Sequence, residues 1–278
     1  MVYTLTMHPA VDLFLHAQGD VPERRGAAVQ AGGKGVNVSR FLRRCVVLCG
    51  GARGQFLCAS LAEEGLDVLP VDDPKGFCRI NLKCTGAHEQ ALDGRGRAGA
   101  NAAERVLSLL ASLLRSGDLL AACGSLPDGI DSGFYAAAVR LARKKDAQII
   151  VDASGDALRE ALEASPSLLR CNRAEASAFA AGTDAEDAAR EAVARGAAAA
   201  LVSDGENGAY LCADGRVFFE QAKRVEVLHT VGAGDALTAA CIDGILRSLR
   251  GQALLSRCIA FAADVIATPL PGAAPAGR

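Results

Sequence analysis

His229-Thr-Val-Gly-Ala-Gly-Asp-Ala-Leu-Thr-Ala-Ala240 is the stretch whose residue types could most readily do chemistry. Gly232, Ala233 and Gly234 are small enough for backbone N–H groups to converge on an anion, and a helix starting there adds the positive end of its dipole. A phosphoryl group in transfer suits such a cradle. Asp235, in the first helical turn, is placed to take the proton of an attacking hydroxyl. Taken alone, the same four residues read more simply as a helix cap.

Two further segments share this double character. Asn172-Arg-Ala-Glu175 sets an amide and a carboxylate three residues apart where a strand enters a helix. Those oxygens suit water-mediated positioning of Mg2+, and they equally form a capping box. Ser203-Asp-Gly-Glu-Asn-Gly208 ends another strand and either covers a nucleotide or turns a hairpin. Gly32-Gly-Lys-Gly35 fails as a Walker A loop, since Ala28 stands where the first glycine belongs and Gly35 replaces the Ser/Thr. His88-Glu89 is no zinc-protease signature, because residue 92 is Leu.

The elements needed to position these residues follow from periodicity. Val2 to Met7 has strand composition and stops at His8-Pro9; glycines 32, 33 and 35 feed a helix carrying Val38, Phe41 and Leu42 on one stripe. Residues 78 to 84 alternate apolar and polar as a half-exposed strand does, and 85 to 100 reads as a weak hairpin or loop. From residue 101 helices (101–115, 131–144, 155–164, 185–195) alternate with strands (118–123, 147–152, 167–171, 198–203). Such a succession implies crossovers and a parallel sheet. A hairpin-like 208–220 and helices over 234–249 and 252–267 complete the pattern, and residues 268–278, with three prolines, are expected to fray.

Composition narrows the function classes. Thirty basic and 32 acidic residues leave a formal charge of -2, so no global field draws the chain to DNA or to an anionic membrane. Nine Phe, three Tyr and no Trp argue against a stacking platform for single-stranded nucleic acid. The ten cysteines contain no C-x-x-C pair and read as small buried hydrophobes of a reducing cytoplasm. No basic leader and no 18-residue apolar run appears, so neither secretion nor membrane spanning is expected.

Together the segments resemble the PfkB/ribokinase family of carbohydrate kinases. Ala31-Gly-Gly-Lys-Gly-Val-Asn-Val-Ser-Arg40 is similar to its N-terminal signature and Thr230-Val-Gly-Ala-Gly-Asp-Ala236 to its C-terminal one. Leu5 to Asp12, Arg79-Ile-Asn81, Gly124 to Gly129, Val151 to Ser154, Asn172 to Glu175 and Ser203 to Gly208 extend the likeness over about residues 3 to 268. Thr4-Leu5, Pro9-Ala10 and Asp12, with Arg79-Ile-Asn81 and Gly124-Ser-Leu-Pro127, are most similar to 1-phosphofructokinases and tagatose-6-phosphate kinases.

What the resemblance implies is a Rossmann-like (ribokinase-like) α/β three-layer sandwich. It would have a mainly parallel central sheet, in one kinase domain over 1–278, with a small β lid contributed by about 9–30 and 76–98. It implies ATP and Mg2+, a sugar-phosphate substrate, no nucleic acid or membrane partner, and a homodimer through the lid. Asp12, Gly33, Lys34 and Asn37 would grip the sugar, while Lys34 and Arg79 would face its phosphate. Asn172, Ser203, Gly205 and Gly208 would serve the nucleotide, Glu175 the metal through water, Gly232, Ala233 and Gly234 the anion hole, and Asp235 the proton. Fructose 1-phosphate is the expected substrate; tagatose 6-phosphate and a non-catalytic sugar-phosphate binder are the alternatives. A nucleoside kinase is disfavoured, because a neutral substrate would leave Lys34 and Arg79 without a charge partner.

The chain also departs from the family pattern. His8 replaces an Asn, Arg170-Cys171 replaces Lys-Pro, Asp264 replaces a small residue, and Leu92 to Arg97 lacks the usual lid end. Gly50-Gly-Ala-Arg-Gly54 reads as a shortened glycine-rich loop, and the usual final helix is missing.

Overall fold

A computed structural model describes residues 1–18, 21–42, 44–85 and 90–268. His88-Glu89 and residues 269–278 of the proline-containing tail lie outside the described residues. In chain order the elements are β1 (Val2–Thr6), β2 (Ala10–Gln18), β3 (Val21–Gly32), α1 (Lys34–Leu42), β4 (Arg44–Gly50), α2 (Gly51–Glu63), β5 (Asp67–Asp73), β6 (Arg79–Thr85) and β7 (Gln90–Asp93). Then come α3 (Ala102–Leu113), β8 (Leu119–Cys123), α4 (Phe134–Lys144), β9 (Gln148–Asp152), α5 (Gly155–Glu163), β10 (Leu168–Asn172), α6 (Arg173–Ala176) and α7 (Ala185–Ala194). β11 (Ala199–Ser203), β12 (Ala209–Ala213), β13 (Arg216–Glu220), α8 (Ala233–Leu246) and α9 (Gly251–Ile266) finish the chain.

Among the described residues nine strands form one sheet in the order β13-β12-β11-β10-β9-β8-β1-β4-β5, parallel from β11 to β5, with β12 antiparallel to β11 and β13 antiparallel to β12. The parallel strands are apolar on both faces because helices cover both. Leu120 and Ala122 of β8 face a core filled by α3, α4, α5 and α7, while Leu119, Ala121 and Cys123 face α8 and α9. On the second face α2 seals the far end, with Leu57 and Leu61 on Cys45, Val47 and Cys49 of β4. All ten cysteines are free, and eight are buried.

Gly50 to Gly54 is not a loop: β4 runs to Gly50 and α2 starts at Gly51. Gly54 sits inside that helix because a Cβ there would come within 2.6 Å of the Cys49 backbone. Close packing of helix on strand, rather than a turn, accounts for this glycine.

The chain leaves β1 toward β4 and β5 on one side and returns to β8 on the other, so the order reverses beside β1. Crevices at the carboxyl ends of the strands next to such a reversal are where open α/β sheets take ligands. A second sheet, β3-β2-β6-β7, rises there. The segment 85 to 100 contributes β7, antiparallel to β6. Register aligns Gln30, Asp12, Asn81 and Asp93 across the four strands on one face, and Val29, Leu13, Leu82 and Leu92 on the other. The first face looks into the crevice. On the second, Val29 and Leu92 are exposed, as is Ile80 of β6.

Candidate active site

Helix α8 opens at Ala233 with Gly232 as its N-cap, in a left-handed backbone conformation (φ 82°) that glycine adopts without strain. Gly234 is required for a different reason, since a Cβ on it would come within 2.8 Å of the Arg170 guanidinium. The turn places Asp235 in the wall of a cleft of about 430 Å³, with Asp12, Asn37, Lys83 and Gly232 among the other lining residues. Asn37, one turn into α1, donates from Nδ2 to Asp235 Oδ2 at 2.6 Å. Burial pushes the Asp235 carboxyl up; the Asn37 bond, Lys34 and Arg170 pull it down, nearby Asp152 raises it, and it comes to rest at about 6.

Across the cleft the lid presents Asp12, a buried carboxylate that accepts from Asn81 Nδ2 at 2.8 Å and from Lys83 Nζ at 2.5 Å. Lys83 also lies over the Phe14 ring, 5.1 Å from its centroid. These contacts fix the Asp12 carboxylate in the wall of the cleft.

Behind Asp235, four charges meet at the strand ends. Lys34 Nζ donates to Asp152 Oδ1 at 2.8 Å and to Glu175 Oε1 at 3.4 Å, and Arg170 Nη1 reaches the same Asp152 oxygen at 3.3 Å. Thr238 of α8 donates to Asp152 Oδ2 at 2.6 Å, which ties the helix carrying Asp235 to β9. Burial drives Asp152 up, but Arg170 and Lys34 outweigh it and hold the carboxyl below the usual range. Lys34 is correspondingly held above its ordinary value: burial lowers it, Asp152 more than compensates.

Asn172 and Glu175 form the capping box in full. Asn172 N–H donates to Glu175 Oε2 at 2.9 Å, and Glu175 N–H to Asn172 Oδ1 at 2.8 Å. The box leaves the Asn172 amide nitrogen and Glu175 Oε1 for other partners. Ser203 ends β11 beside Arg170 Nη2 (3.5 Å), whereas Gly205 and Gly208 belong to the turn between β11 and β12, closed by Asp204 N–H on the Gly208 carbonyl at 2.8 Å.

The structure thus gathers Asp12, Asn37, Gly232 and Asp235 around one cleft, and Lys34, Asn172, Glu175 and Ser203 around the charge cluster. The Lys34 ammonium is engaged by Asp152 and Glu175. Gly33, in the turn before α1, takes the Asn37 N–H on its carbonyl at 2.9 Å. Arg79 is placed apart, at the foot of the lid. Its Nη1 is 3.9 Å from Asp93 Oδ2, and its buried Nε has no partner among the described residues. It adjoins His8, whose ring, held by Ser125 Oγ at 2.9 Å, is pushed down to about 4 by burial and then by Arg79.

Lys83, Asp152 and Arg170 were not singled out as site residues by sequence reasoning. Signals for two existed: Lys83 continues the Arg79-x-Asn81 alternation along β6, and Asp152 is an acid closing the apolar run Ile149-Ile-Val151.

Among the described residues no group of three or more His, Cys, Asp or Glu converges to cage a metal. Mg2+ does not need one, since it keeps several waters and binds through one or two carboxylates and substrate phosphates. Glu175, part-exposed with a hard oxygen turned to the cluster, fits that mode. No helix of the described residues is long and apolar enough to cross a membrane.

Residues 3–273 match a family model described as pfkB family carbohydrate kinase. The chain is 30% identical over 264 residues to a 1-phosphofructokinase of Bacillus subtilis, covering 90% of this chain and 87% of the relative. It is 29% identical over 255 residues to a D-tagatose-1-phosphate kinase of Bacillus licheniformis, covering 86% and 84%. The solved structure of the tetrameric inhibited form of phosphofructokinase-2 from Escherichia coli superposes with a TM-score of 0.85 at 26% identity, over 95% of this chain and 93% of that one.

Proposed function

Because the chain belongs to the pfkB family of carbohydrate kinases, we propose that it moves the γ-phosphoryl group of ATP to the primary hydroxyl of a phosphorylated ketohexose, converting fructose 1-phosphate to fructose 1,6-bisphosphate. One observation carries the reading. Asp235 combines a midpoint near 6, a place in an open cleft and a helix N-terminus whose small residues leave room for an anion. A cap alone requires none of the first two. The relatives' names, 1-phosphofructokinase and D-tagatose-1-phosphate kinase, favour a ketohexose phosphorylated at carbon 1.

Asp12, fixed by Asn81 and Lys83, accepts hydrogen bonds from the sugar, and Asn37 offers its second amide hydrogen. Arg79, whose buried Nε has no partner among the described residues, supplies positive charge for the phosphate already on the substrate. Asp235 takes the proton from the 6-hydroxyl as it attacks, and the N–H groups of Gly232, Ala233 and Gly234 receive the charge gathering on the phosphoryl oxygens. Lys34 serves that same charge from the cluster. Asn172, Ser203, Gly205 and Gly208 would line the nucleotide, and Glu175 would hold Mg2+ through water. Mg2+, when bound, would supply positive charge to neutralise the phosphates.

The test is ADP release with Mg-ATP over free and phosphorylated ketohexoses. Fructose 1-phosphate is expected to give the highest kcat/KM; a higher value for a free ketohexose or for tagatose 6-phosphate would contradict the substrate assignment, and no turnover with any sugar would leave a binding protein.

A further inference from the structure

We infer that Arg40 is a positioning residue for the base, acting through Asn37; the inference rests on Asp235 being that base. The Asn37 amide lies between two charged groups. Its Oδ1 accepts from Arg40 Nη1 at 2.8 Å while its Nδ2 donates to Asp235 Oδ2 at 2.6 Å. A guanidinium has only donors and an ionised carboxylate only acceptors, so one amide orientation satisfies both ends and the other satisfies neither. Arg40 therefore dictates that Asn37 presents N–H, not C=O, to Asp235.

Arg40 is itself clamped. Nε and Nη2 reach the two oxygens of Glu64 at 2.7 and 3.1 Å, and Nη2 also donates to the Ala31 carbonyl at 2.6 Å. Glu64 is the C-cap of α2, and Ala31 lies at the end of β3 just before the glycine turn into α1. One side chain thus fixes α1 against a lid strand and against a neighbouring helix, with its guanidinium in the wall of the same cleft as Asp235. A lysine has no planar fork with which to meet these acceptors together.

The groups around Asp235 are Asn37 and Lys34 on α1, Asp152 on β9 and Arg170 on β10; Asp12 and Lys83 of the lid, His229 before α8 and Asp264 on α9 line the cleft it opens into. Lys34, Asp152 and Arg170 keep one another's company whether or not Arg40 is present. Loss of Arg40 acts on Asp235 by releasing Asn37, and a carboxylate deprived of a donor holds its proton to higher pH.

Carbon-13 NMR of Asp-labelled protein reads this directly, the Asp235 carboxyl being the resonance missing from Asp235→Asn. We expect Arg40→Ala to move its midpoint up by about one unit, the scale of one hydrogen bond to a charged group. Asn37→Ala moves it as far, and the double variant no farther than Asn37→Ala alone. The acid limb of kcat/KM follows, so that activity at pH 6 falls several-fold in Arg40→Ala and largely returns at pH 8. Should Arg40→Ala fail to fold, Arg40→Lys and Glu64→Gln give part of the shift. An unmoved midpoint in these variants, or shifts that add in the double variant as a remote charge effect would, overturns the inference. A wild-type protein without turnover on any sugar defeats the kinase reading instead, and leaves the titration able to decide this one.

Discussion

Burial pushes the Asp235 carboxyl up to about 6, above the ordinary carboxyl value of 3.8, and two consequences follow for this residue. A base must be ionised, so kcat/KM is expected to fall tenfold per pH unit below about 6 and to level above it; a profile flat down to pH 5 would assign the proton elsewhere. Stability moves the opposite way. The folded midpoint exceeds the unfolded one, so the ionised carboxyl destabilises the fold above pH 6 and this cost disappears as pH falls toward 4. Asp235→Asn should therefore raise Tm by a few degrees at pH 8 and leave it nearly unchanged at pH 4. For the substrate's own phosphate, Arg79→Ala should raise KM at least tenfold with kcat little changed, and equal KM values would remove Arg79 from that role. At this scale Gly-Ala-Gly-Asp is a local arrangement that the sequence displays, although taken alone it reads as a helix cap and only the companion motifs make Asp235 a candidate base. The Asn37 bond, the Lys83 clamp on Asp12 and the engagement of Lys34 by Asp152 join residues between 71 and 198 positions apart, and nothing local announces them.

The ends of β9 and β10 and the start of α8 depend on one another through Asp152. Its carboxylate is fully buried and answers two cations and the Thr238 hydroxyl. Asp152→Ala would leave Lys34 and Arg170 short of a counter-charge, with an expected loss of about 3–5 kcal/mol in urea unfolding at neutral pH; a loss below about 1 kcal/mol would mean the cluster is not structurally coupled. Elements from residue 101 onward were readable because long helices and short apolar strands alternate there. Between Arg44 and Asp73 the signal failed. Glycines 50, 51 and 54 imitate a loop, yet two strands and a helix occupy the stretch, and Gly54 serves a helix–strand contact that no local pattern distinguishes from a turn.

The whole molecule sets a lid over the switch point of a parallel sheet and leaves the lid's outer face apolar, with Val29 and Leu92 at 55% and 69% exposure. Apolar residues in register across strands suit a partner surface, and a lid-to-lid homodimer is the assembly we propose. Val29→Asp with Leu92→Asp should then shift sedimentation from dimer to monomer, and an unchanged mass would place any interface elsewhere. The central claim is that sheet, lid and α8 converge on one proton acceptor for phosphoryl transfer. Rapid-quench measurement of transfer from labelled ATP to fructose 1-phosphate tests it most directly: Asp235→Asn should be at least about a hundredfold slower than wild type while binding the sugar equally well, and a variant within tenfold of wild type would contradict the account.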